Sequence, residues 1–188
     1  MWKKSLLYKV IRHPREGSDR ICVIELKLNN HRVFIINVYM PHQKCVIADF
    51  KTELKNLRKV LDKFRAHGMC IVIGDYNVSF GPEFGVRCTG VTYANVKPLC
   101  EVMNQYGMNL VDLGEKGFGC TYTFVGGHGR SYLDHVAVSN ENVGCIESCT
   151  VLPDCVENVS DHLAMIVKTN LHLEITESTH VNMSKRVA

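Results

Sequence analysis

Apolar and polar positions divide the first half of the chain into alternating kinds of segment. Ile21 to Leu28 and Arg32 to Tyr39 are β-branched and apolar, and Asn29-Asn30-His31 joins them. Asparagine accepts a positive φ at modest cost, so the two runs predict a β-hairpin. From Val46 to Phe64 the apolar residues Phe50, Leu54, Leu57, Val60, Leu61 and Phe64 recur three or four apart, with Lys and Arg on the other face. That period predicts an amphipathic helix, ended by His67-Gly68. Met69 to Ile73 is apolar throughout, which fits a short strand buried on both faces. A Gly/Pro-rich loop at Phe80 to Gly90 leads to a second predicted helix, Val96 to Tyr106, stopped by Gly107.

The second half reads as strands: Leu110 to Leu113, Thr121 to Phe124, Tyr132 to Ser139, Cys145 to Leu152 and Ala164 to Thr169. Gly126-Gly127-His128-Gly129 is a turn between two of them. No helix follows it, so it is not a phosphate-cradling loop. Residues 171–188 are polar and without period and read as a tail, which leaves 1–170 as one domain. Hairpins, two helices and many strands together predict a layered α/β domain.

Composition agrees with that picture and narrows it. The 188 residues are 46% hydrophobic and 22% charged, enough for one buried core and too apolar for a disordered chain. The net charge of +3 is compatible with nucleic acid but does not diagnose it. Val33 to Met40, the longest apolar run, is too short to span a bilayer, so no membrane association is expected. Lys9, Arg12 and His13 interrupt any apolar leader, and an intracellular location, nucleus or cytoplasm, is expected. The nine cysteines are odd in number and lack a CxxC pair. Cys22, Cys70 and Cys120 fall in strands as small hydrophobes, and Cys145, Cys149 and Cys155 make no zinc framework, so reduced thiols are expected.

Three strand ends carry reactive side chains: Ile73-Gly74-Asp75-Tyr76-Asn77, Asp134-His135 and Ser160-Asp161-His162. Each has a plain reading alone, as a turn or a cap. Together they hold what phosphodiester hydrolysis needs: an activated water and relief of charge building on oxygen. Asp75 is placed to hold the water and take its proton. Asn77, two residues on, points to the same side and orients the water or phosphate. Asp134 beside His162 favours the imidazolium and fixes its ring, so that His162 donates to a phosphoryl oxygen. His135 is read as shaping its strand, and His13, His31, His67 and His128 as surface or turn residues.

The segments Asn37-Val38-Tyr39-Met40-Pro41, Gly74-Asp75-Tyr76-Asn77-Val78, Tyr122-Thr123-Phe124, Ser131-Tyr132-Leu133-Asp134-His135 and Ser160-Asp161-His162 stand in one order over Val33 to Thr169. In this the chain resembles the endonuclease/exonuclease/phosphatase superfamily, most of all the endonuclease domains of LINE-type retrotransposons and proteins derived from them. The resemblance implies a layered α/β sandwich of two mixed β-sheets flanked by helices. It also implies DNA nicking with Mg²⁺ or Mn²⁺. By the same resemblance Asp161 is a metal ligand, Tyr39 contacts the phosphate or leaving group, and Thr123 and Ser160 bind substrate.

The family's pattern begins earlier, with a strand bearing asparagine and a next strand bearing a metal-binding glutamate. Here Met1-Trp2-Lys3-Lys4 looks like the strand after that glutamate, while Glu16 and Glu25 lie in another context. The resemblance therefore implies an N-terminally truncated domain, a weakly held metal, and an open sheet edge for a protein partner or a second copy. Two alternatives stand beside the nuclease: a catalytically degenerate domain that binds nucleic acid or protein, and a phosphatase acting on a phosphoinositide or other phosphoester.

Overall fold

The computed structural model describes residues 9–28, 31–42, 45–85, 87–88, 92–127 and 129–171. Six strands form the main sheet, in the order β1 (Lys9–Arg12), β2 (Ile21–Lys27), β3 (Arg32–Tyr39), β4 (Met69–Asp75), β9 (Asp134–Ser139), β5 (Met108–Leu110). A second sheet of three strands runs β11 (Met165–Thr169), β10 (Ile146–Val151), β6 (Gly117–Gly119), and β7 (Phe124–Gly126) pairs with β8 (Gly129–Ser131) as a hairpin. Both larger sheets are mixed: β3 runs parallel to β4 and β10 parallel to β6, while the other pairs are antiparallel. This is the layered α/β architecture that the pattern predicts.

Alternation within the strands decides which layer each residue meets. Phe34, Ile36 and Val38 of β3, Cys70 and Val72 of β4, and Ala137 of β9 join a core with helices α1 (Ile47–Phe64) and α2 (Val96–Gln105). Their neighbours Val33, Met69, Ile71, Val136 and Val138 join a second core with Ile146 and Cys149 of β10. The period of two thus sends alternate side chains to the helices and to the second sheet. Helix α1 buries the six apolar residues its sequence spacing picks out, Phe50 through Phe64. It supplies the crossover that lets β3 and β4 lie parallel.

Several elements differ from the sequence reading. Strand β1 was hidden because its two apolar residues, Val10 and Ile11, lie between Lys9 and Arg12; pairing with β2 brings it into the sheet. Leu110 closes β5 instead of opening a strand, and Val111 to Lys116 turn before β6. The strand expected over Thr121 to Phe124 starts only at Phe124. His13 is half-buried rather than a surface residue. Glu25 takes an inward position on β2 at 1% exposure, and a carboxylate there needs partners. His13 Nε2 lies 2.9 Å from Glu25 Oε2, and Arg32 Nε donates to Glu25 Oε1 at 2.7 Å. The Met1 to Lys4 strand, the Asn29-Asn30 turn, His128 and the tail from 172 on lie outside the described residues. Among those described, no helix is long and apolar enough to cross a membrane.

Candidate active site

Strand register builds the site. Tyr39 pairs with Asp75 across β3 and β4, and Asp75 pairs with Asp134 across β4 and β9. All three share the parity of the residues facing the second sheet, so they stand in a row along one end of the main sheet. Below them Gly74 has φ +135°, and a Cβ there would lie 2.2 Å from the carbonyl oxygen of Val38. Only glycine lets β4 approach β3 this closely at the foot of the row.

Asp75 is held by the residue that follows its strand. Asn77 has φ 49°, the one non-glycine residue with positive φ among those described. Asparagine tolerates this left-handed backbone better than most residues. The bend lets the Asn77 backbone N–H donate to Asp75 Oδ1 and its side-chain amide to Asp75 Oδ2, each at 2.8 Å. The same amide donates to the carbonyl oxygen of Met40 at 2.8 Å. Both amide hydrogens are thus spent on holding Asp75 and the end of β3, whereas the sequence reading has Asn77 orient water or phosphate. Asn95, itself buried, donates to the Asn77 carbonyl at 3.2 Å.

His162 arrives from the other end of the chain. The backbone of Asp161 to Leu163 is stitched to that of Thr123 to Val125 by Val125 N–H donating to Asp161 at 2.8 Å and Leu163 N–H donating to Thr123 at 2.7 Å. This seats the imidazole against Phe124, ring centres 5.1 Å apart. Nδ1 meets Asp134 Oδ2 at 2.8 Å, and Nε2 stands 3.9 Å from Asp75 Oδ2. Burial alone would lower the His162 pKa, but the hydrogen bond and charge of Asp134, with Asp75 and Asp161 behind it, raise it above 6.5. The pKa of Asp75 is raised above 3.8, chiefly by burial and further by Asp134, against the lowering effect of the Asn77 backbone hydrogen bond.

An open cleft of about 550 Å³ lies over this row, with Tyr39, His42, Asp75, Asn77, Asp161 and His162 among its lining residues. Two predicted substrate contacts lie elsewhere. Thr123 is fully buried, and its hydroxyl oxygen accepts the N–H groups of Leu133 at 2.9 Å and Asp134 at 3.0 Å. Ser160 is exposed beside the cleft, where its oxygen accepts the His162 N–H at 3.0 Å. Both hydroxyl oxygens accept backbone N–H groups at Asp134 and His162 or next to them, and neither residue lines the cleft. Conversely His42 and Tyr93 line the cleft without having been picked out. His42 directly follows the Asn37 to Pro41 segment, a signal available in the sequence; Tyr93 lies in a loop with no such mark.

His135 turns to the helix side of β9, as strand parity requires, and is 1% exposed. Its Nδ1 lies 2.9 Å from Oδ2 of the buried Asp112, whose Oδ1 accepts the Val136 N–H at 2.7 Å. The Asp112–His135 pair clamps β9 immediately after Asp134.

For a divalent cation the donors are few. Among the described residues no group of three or more His, Cys, Asp or Glu side chains could hold a metal ion. Asp75 already accepts from Asn77 with both oxygens, which leaves Asp161 as the exposed carboxylate of the cleft. The described side chains do not by themselves make a metal centre. They do set the Asp75 carboxylate 3.9 Å from Nε2 of His162, whose Nδ1 is held by Asp134.

No family model matches the chain, and no curated protein matches it. Solved structures do. The endonuclease domain of TRAS1, a telomere-specific non-LTR retrotransposon, superposes with a TM-score of 0.69 at 18% identity, over 88% of this chain and 69% of that one. The AP endonuclease LMAP from Leishmania major gives 0.64 at 16% identity, over 86% and 61%. The 3′ phosphatase NExo from Neisseria, bound to product DNA hairpin, gives 0.61 at 16% identity, over 86% and 70%. The chain has the endonuclease/exonuclease/phosphatase fold.

Proposed function

We propose that this chain, as a carrier of that fold, is a phosphodiester hydrolase acting on DNA, of the nicking type. The observation that carries the reading is the Tyr39–Asp75–Asp134 row with His162 Nε2 standing 3.9 Å from Asp75 Oδ2. Water held by Asp75 attacks phosphorus and gives its proton to the carboxylate. The raised pKa of Asp75 suits a base, because proton transfer is most effective when the base's pKa nears the working pH. His162, held as imidazolium by Asp134, donates from Nε2 to a phosphoryl oxygen as negative charge builds there. Tyr39, half-exposed beside Asp75, faces the departing sugar oxygen or the phosphate. DNA as substrate draws support from the solved structures, whose names include endonucleases and a DNA-bound 3′ phosphatase.

Divalent metal belongs to the same proposal, with Asp161 as its protein carboxylate and water as most of its shell, a manner of binding common for Mg²⁺. Such an ion should be weakly held. The sparse donor set also favours a second reading, a domain that binds nucleic acid without cutting it.

Nicking of supercoiled plasmid in Mg²⁺ and in Mn²⁺ separates the two. Conversion to open circle by the wild type, lost by about 10²-fold or more in Asp75→Ala and His162→Ala, is expected. Plasmid binding with no conversion in either metal would establish the binding domain instead.

A further inference from the structure

The row along the sheet end has a fourth member. Tyr39 N–H donates to the carbonyl oxygen of Arg20 at 2.8 Å, which extends the register from Asp134 through Asp75 and Tyr39 to Arg20. Arg20 shares the parity of exposed Cys22 rather than of buried Ile21 and Val23, so it lies on the cleft side of the sheet. Its guanidinium sits over the Tyr39 ring, Cζ 5.0 Å from the ring centre. One long hydrogen bond, Nη1 to the Tyr39 carbonyl at 3.4 Å, uses a single one of its five donors. Among the described residues no carboxylate forms an ion pair with it.

The surroundings give this cation a task. Asp75 and Asp161 line the cleft and Asp134 stands behind His162, so a polyanion entering meets three carboxylates. A phosphate one nucleotide from the scissile group, on the Tyr39 side, needs a positive partner. Arg20 is two strand spacings from Asp75, roughly 10 Å between backbones, and its side chain reaches inward from there. A guanidinium stacked on an aromatic ring keeps its fork oriented and suits bidentate phosphate contact.

We propose that Arg20 binds the backbone phosphate next to the scissile one, on the Tyr39 side of the cleft, and so selects a polynucleotide over a small phosphoester. The inference rests on the hydrolase reading only for where the scissile group lies. Arg130 of β8, its guanidinium 4.4 Å from the Tyr122 ring centre, lines a neighbouring pocket that shares Tyr93 and Ser131 with the cleft, a second stacked cation nearby.

Binding of a fluorescent DNA duplex, followed by anisotropy with metal chelated and over a range of salt, tests this apart from cleavage. Arg20→Gln, which removes the charge and keeps the methylene stem beside Tyr39, should weaken binding about tenfold at low salt and reduce the salt slope by about one counterion. Arg20→Lys should fall between the two, and Lys51→Ala, exposed on α1, should bind as the wild type does. Thermal melting of Arg20→Gln and Arg20→Lys reports whether each is folded. These results support the proposal even for a wild type that does not nick. Unchanged affinity and slope in a folded Arg20→Gln overturn it even for a wild type that nicks, as does a wild type that hydrolyses bis-p-nitrophenyl phosphate yet fails to bind the duplex.

Discussion

Individual side chains in this cleft are tuned by one another, and the pH profile of kcat/KM should show it. The acid limb belongs to Asp75 and should lie above 3.8; the alkaline limb belongs to His162 and should lie above 6.5. The two groups are coupled, so the limbs are apparent values of the pair. Asp134→Asn removes the negative charge that favours the imidazolium and leaves burial opposed mainly by Asp75 and Asp161. Its alkaline limb should therefore move down. An alkaline limb left in place would show that another group carries the proton. Asn77 offers a second check. Asn77→Gly keeps the positive φ without strain but loses the two side-chain hydrogen bonds, and activity should fall by about 10²–10³ as Asp75 is freed. Asn77→Ala adds backbone strain of about 1–2 kcal/mol, and only its melting temperature should drop further. At this scale the sequence showed which residue types meet. It could not show that the Asn77 amide is already committed to Asp75, because that follows from a local bend at φ 49°.

Strands and helices were legible where apolar residues keep a long period. Helix α1 and strands β2, β3 and β4 fall within two residues of their predicted ends, since each buries a continuous face. Three-residue strands such as β6 and β8 escaped because they are Gly-Phe-Gly and Gly-Arg-Ser, too short and glycine-rich to show a period, and pairing alone defines them. The same limit hid the task of Thr123. The sequence reading places it inside a strand and the resemblance makes it a substrate contact, yet its oxygen receives two backbone donors at the point where β9 begins. Thr123→Val keeps the shape and removes that acceptor, leaving N–H groups of Leu133 and Asp134 unpaired. A loss of about 1–3 kcal/mol in urea unfolding is expected. Activity should fall with it, because Asp134 opens this strand. Thr123→Ser should restore both. A Thr123→Val enzyme that loses stability but keeps wild-type kcat would uncouple the strand's start from the site.

Across the whole molecule the charges that serve the cleft and those that serve the core pull stability in opposite directions with pH. Glu25, held by Arg32 and His13 against the cost of burial, has its pKa lowered below 4.5. A depressed carboxyl contributes stability above its unfolded value that is lost as pH falls through the folded one. His162 is the reverse case: its pKa is raised, so its contribution is complete below 6.5 and is lost as pH rises through the folded value. Asp75, also raised, begins to cost stability above 3.8 as the pH climbs. The layered core, built from the periods the sequence displays, is indifferent to pH and sets the baseline. Melting temperature should therefore fall in acid through Glu25 and fall again above pH 6.5 through His162. His162→Gln should flatten the alkaline decline while leaving the acid one, and Glu25→Gln should do the opposite. Each kcal/mol appears as about 2–4 °C in a chain of this size. An alkaline slope that survives His162→Gln would mean that the Asp134–His162 pair is not the ionising unit of the fold, and the hydrogen-bonded imidazolium on which the chemistry depends would go with it.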